Sequence, residues 1–137
     1  MNMKIKFAAT AVALAAFSLP TMLSADDGLK YDDLVHCAAT SLVVAQALDL
    51  DGGASKDTVI IDKMNHQAAA LMAIASVGGK KDTDTVIADT KKEQDAIIEI
   101  FGDSDKTKSS AFIQTEVPKC KVMGEAAVEV LAEKKAN

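Results

Sequence analysis

Two cysteines restrict this chain's fold more than any other feature: Cys37 in "LVHCAATSLVV" and Cys120 in "PKCKVMG". Two cysteines allow a single intramolecular disulfide, and here it would join the front of the chain to its back. In the chain-entropy account a loop of this length adds about 4.5 kcal/mol of stability. Whether the bond forms depends on the compartment, because thiols stay reduced in the cytosol and oxidise outside it.

The first 25 residues bear on that question. "MNMKIKFAATAVALAAFSLPTMLSA" sets Lys4 and Lys6 before an apolar run from Phe7 to Leu19, followed by Pro20 and a small residue at Ala25. This is the pattern of a secretory signal peptide cleaved after Ala25. The run is too short to span a bilayer, which takes about 20 residues. The acidic "DDGLKYDD" that follows lacks a basic stop-transfer flank. The expectation is a signal peptide over 1–25 and one domain over 26–137, periplasmic or secreted, with no transmembrane span after cleavage. Cys37 and Cys120 are then a structural staple, since a redox pair would favour C-x-x-C spacing.

Composition excludes several function classes. The 112 residues after Ala25 carry 13 lysines against 20 acidic residues, a net charge of -7, and the chain has no arginine. A polyanion would meet an acidic surface without the side chain best suited to grip phosphate, so nucleic acid is not an expected partner. Tyr31, Phe101 and Phe112 are the only aromatics after Ala25. Stacking platforms for bases are correspondingly scarce.

Apolar residues recur at helical spacing in four stretches: about Lys30–Leu48, Lys56–Val77, Thr83–Phe101 and Asp105–Lys134. Gly52 and Gly53 end the first and Ser55 can cap the second; Gly78 and Gly79 stop the second and Asp82 caps the third. Pro118 falls inside the fourth and should kink it. Short connections favour antiparallel neighbours. The expected fold is therefore all-α: an antiparallel four-helix up-down bundle, last helix kinked at Pro118, with one disulfide joining the first and last helices. The run "AAALMAIASV", Ala68–Val77, is apolar almost throughout. Such a helix is either buried on all sides or covers an interface, which makes Leu71, Met72, Ile74 and Val77 the candidate interaction surface.

Each histidine follows an aspartate by four residues, Asp32 with His36 and Asp62 with His66, so each pair shares a helix face. Antiparallel pairing of the first two helices would bring His36 and His66 nearly level. Asp32, His36, Asp62 and His66 are thus the candidate transition-metal set, with surface pairing of each Asp to its own His as the plainer reading. Cys37 and His36 are adjacent and point about 100° apart on a helix, so they do not form a catalytic pair. No nucleophile elbow, phosphate loop or H-E-x-x-H motif occurs. The chain is not expected to be an enzyme, and no cofactor is expected.

A small exported helical domain with one long-range disulfide is similar in layout to the acid-stress chaperones of the bacterial periplasm. The similarity lies in layout alone, with no shared residue motif. The expected function is non-enzymatic binding of a protein partner or self-association, chaperone-like or stress-related; the alternative is a carrier of a small ligand or transition metal.

Overall fold

The computed structural model describes residues 30–52 and 57–136. The signal-peptide reading of residues 1–25 lies outside them, as does Ser55; the cap expected there is supplied by Asp57 instead. Four helices follow in order: α1 (Tyr31–Gly52), α2 (Thr58–Gly79), α3 (Thr83–Gly102) and α4 (Lys106–Ala136). Among the described residues there is no strand. The protein is an all-α four-helix bundle whose contacts fit the antiparallel up-down order, and a disulfide joins its first and last helices.

The helix starts follow from local chemistry. Asp57 lies in extended backbone before α2, and its Oδ1 accepts the N–H groups of Val59 at 3.1 Å and Ile60 at 3.2 Å. Asp82 does the same for α3, accepting the Thr85 N–H at 2.7 Å. Each satisfies amides that an isolated helix start leaves without partners. Ahead of α4, Asp105 Oδ1 accepts the Thr107 N–H at 3.1 Å.

Several boundaries differ from the expectation: the second helix starts at Thr58 and the fourth runs on to Ala136. The first helix runs on to Gly52, past Leu48. Gly78 and Gly79 do not stop the second; both are helical, and the left-handed residue is Lys80, with φ of 53°. The ring of Tyr31 explains this. A β-carbon on residue 79 would stand 2.7 Å from Tyr31 Cδ2, so glycine is used there for close packing rather than for its backbone freedom. The fourth helix continues through Pro118, which is exposed. An exposed site is where the missing N–H costs least, because water can serve the carbonyl it leaves.

α1 is the centre of the molecule and packs on all three other helices, whereas α3 touches α2 and α4 only lightly. Leu34, Val35, Cys37, Ala38, Ala39 and Val43 are all buried. The hydroxyls of Thr40 and Thr90, also buried, bond back to the carbonyls of His36 at 2.8 Å and Val86 at 2.7 Å, so neither brings an unpaired polar atom inside. Tyr31–Leu50 is long and apolar enough by composition to cross a membrane, yet here that apolar surface forms the middle of the bundle.

Contacts along α4 pass from one side of α1 to the other. Phe112 packs edge-on against Phe101 of α3, centroids 5.7 Å apart. Cys120 then bonds Cys37, 83 residues away, with Cα atoms 4.8 Å apart. Further on, Gly124 lies against Gln67 of α2, and Glu125 accepts from Lys63 Nζ at 3.0 Å.

Candidate functional site

The sulfurs of Cys37 and Cys120 are sealed in the core, with the two residues 0 % and 1 % exposed. A disulfide persists in an oxidising compartment, so this bond points to an extracellular or periplasmic location. Buried sulfurs are also out of reach of an attacking thiolate, which fits a staple and not an exchange centre.

His36 stands one residue before Cys37, at the rim of the same contact, and its ring turns toward α3 and α4. Nδ1 lies 3.0 Å from Glu93 Oε2, and Nε2 lies 3.1 Å from Glu116 Oε1. The edge of the ring meets Phe112, centroids 5.9 Å apart. One imidazole therefore bridges three helices. Both ring nitrogens can donate at once only in an imidazolium; a neutral ring donates from one nitrogen and accepts at the other.

The candidate metal set does not assemble. His36 pairs with Glu93 and Glu116 and not with Asp32, while Asp32, Asp62 and His66 are exposed. The plainer pairing of each aspartate with its own histidine is not found either. Among the described residues no group of three or more His, Cys, Asp or Glu side chains could hold a metal ion. At His36 each ring nitrogen is already taken up by a glutamate, Nδ1 by Glu93 and Nε2 by Glu116, and neither faces Asp32, Asp62 or His66.

The candidate interaction surface also divides. Leu71 and Ile74 lie in the core with Cys37 and Cys120, and Met72 packs against that core, half-buried. Only Val77 is exposed. α2 is one-sided after all: its outward positions in the run are Ala69, Ala73 and Val77. Alanine is small enough to face water at little cost, so a run of apolar letters overstated the buried surface.

Large apolar side chains are exposed elsewhere. At the end of the α1–α2 hairpin, Leu48, Leu50, Val59 and Ile60 all reach solvent, Leu50 at 75 % and Val59 at 74 % exposure. The whole stretch from Gln46 to Leu50 is exposed, as are Asp57 to Ile60. These last turns of α1 and first residues of α2 are therefore not covered by the other helices.

At the opposite end of α1, the Tyr31 hydroxyl donates to Asp89 Oδ2 at 2.6 Å, and Lys81 Nζ sits 4.5 Å above the ring centroid. Burial and the Asp89 carboxylate beside it push the Tyr31 phenol up to about 12.

Glu93, Glu116 and Phe112 are the partners that sequence reasoning missed. They lie far from His36 along the chain, and no local spacing marks them. One signal was present: once Cys37 and Cys120 are paired, Glu116 falls one helical turn before Cys120 and hence beside His36.

Compared with known proteins, the chain matches no family model, no curated protein and no solved structure.

Proposed function

We propose that this protein is a small exported binding module, without enzymatic activity, that acts through apolar side chains projecting from its helical scaffold. The observation that carries the reading is the exposure of Leu48 and Leu50 near the end of α1 and of Val59 and Ile60 at the start of α2. Large apolar side chains left in water cost solubility, and several of them near one end of a fold commonly mark a protein contact. The disulfide-stapled core supplies a rigid base, and the acidic excess keeps such a surface soluble. A chaperone-like role, in which this end covers apolar segments of other chains, is the form of binding we favour.

The test compares wild type with Leu50→Lys and Val59→Lys, both at exposed sites where a charge leaves the core intact. Circular dichroism checks folding. Sedimentation velocity reads self-association, and light scattering reads suppression of aggregation of a denatured reporter protein. The expected result is a folded variant that has lost the association or suppression seen in wild type. Wild type that neither self-associates nor suppresses aggregation, or variants that do so undiminished, would overturn the reading.

A further inference from the structure

We infer that His36 is a proton-dependent clamp: its imidazolium form holds α3 and α4 on α1, and loss of the proton to solvent frees α3. This inference stands independently of the proposed function.

The geometry supplies the switch. Glu93 faces Nδ1 from α3 and Glu116 faces Nε2 from α4, Glu116 being in turn 4.0 Å from Lys119 Nζ. On α1 itself Asp32 and Asp33 precede the ring by one turn, and Asp89 of α3 is taken up by Tyr31. Among the described residues α2 contributes no hydrogen bond or ion pair to the ring. An imidazolium satisfies both carboxylates at once. A neutral ring keeps one N–H and turns the lone pair of its other nitrogen toward a carboxylate about 3 Å away, which converts an attraction into a repulsion.

The two contacts have unequal support. Glu116 lies one turn before Cys120, so the disulfide holds α4 on α1 whatever the ring does. α3 carries no disulfide and touches α2 and α4 only lightly. Its attachment to α1 runs through Tyr31 and Asp89 at one end, through Val86 and Ile97 in the packed face, and through His36 between them. Separation of α3 would uncover Ile97, Phe101 and Phe112, the apolar cluster that now closes against Ala39 and Val43.

The experiment is amide hydrogen exchange by NMR on the exported, disulfide-bonded protein, expressed as protection factors so that intrinsic pH dependence is divided out. Wild type, Glu93→Gln and His36→Gln are compared from about pH 5 to about pH 8.5, the range over which imidazoles change charge. In wild type, protection across α3 should fall about tenfold relative to α1 and α2 as the pH rises, a sub-global opening of one helix. In Glu93→Gln the amide can accept from or donate to Nδ1, so α3 protection should stay level, as it should in His36→Gln. Imidazole nitrogen shifts give a second readout in wild type alone: both nitrogens of His36 should be protonated at the acid end. A level wild-type profile, a fall that persists in both variants, or a neutral His36 ring at the acid end would overturn the clamp.

Discussion

Gly124 of α4 lies directly against the side chain of Gln67 of α2: a β-carbon at residue 124 would stand 2.9 Å from Gln67 Cβ and 3.0 Å from its Oε1. Both residues are buried, so neither can move into solvent to make room. Gly124→Ala should lower stability by about 1–3 kcal/mol, the usual cost of overfilling a packed contact, even though alanine is the better helix former. Gln67→Gly in the same chain, which removes Cβ as well as the amide, should recover part of that loss. Urea unfolding of the two single variants and the double variant measures the coupling; additive losses would mean the helices part freely at this point.

Tyr31 is the one tyrosine in the chain, and there is no tryptophan, so tyrosinate absorbance reports its phenol alone. The phenol is raised from 10.0 to about 12 by burial and by Asp89. The folded protein therefore keeps a proton that the unfolded chain gives up. The associated stability is complete below pH 10 and is lost as the pH rises through about 12. Tyr31→Phe should cost about 1 kcal/mol at neutral pH for the lost bond to a carboxylate. It should also remove the alkaline decline attributable to this group. Absorbance titration and urea midpoints on either side of pH 10 test both statements.

Replacing Cys37 and Cys120 together by alanine should cost about 3–5 kcal/mol, the range for loss of a long-loop disulfide. The oxidised native protein should also resist mild reductant until it unfolds, because both sulfurs are enclosed. Thiol labelling with and without urea distinguishes reduction of the native fold from reduction after opening.

At the acid side Asp82, Asp103 and Asp105, all at helix ends, contribute to the dependence. The Thr85 N–H holds the Asp82 carboxyl below its ordinary range, and the Asp105 N–H and Lys108 do the same for Asp103. Depressed carboxyls stabilise the fold above the ordinary aspartate range and lose that contribution as the pH falls through their lowered values. Asp82→Asn keeps a capping oxygen but removes the titration. It should match wild type near neutrality and lose less stability than wild type on acidification, with Asp103 and Asp105 leaving a residual slope. Unfolding midpoints near pH 7 and pH 3 give the comparison.

Much of the architecture was legible in the sequence because it depends on local periodicity and on a single covalent choice. The four helices follow from apolar spacing and from caps such as Asp82. The bond between the first and last helices follows from there being one possible pair. Residue letters could not say which helix would be central. The run Ala68–Val77 is the more uniformly apolar stretch, yet α1 occupies the middle, since what decides burial is which faces other helices cover. Nor could they show that Gly79 makes room for a ring and not a turn.

Among the partners of His36, Glu93 belongs wholly to the tertiary structure, and Glu116 is reached from the sequence only by way of the disulfide. An aspartate four residues away on the same helix is the local choice for an imidazole, but pairs of that kind in water contribute only a few tenths of a kcal/mol. Glu93 and Glu116 approach from two other helices, half-sheltered from solvent, and take both nitrogens. The sequence determined that helices would form and where one covalent tie would draw them together; packing then decided which side chains met across the gaps between them. Helix formation depends on residues three and four apart, whereas those meetings depend on groups brought together only after the core has closed.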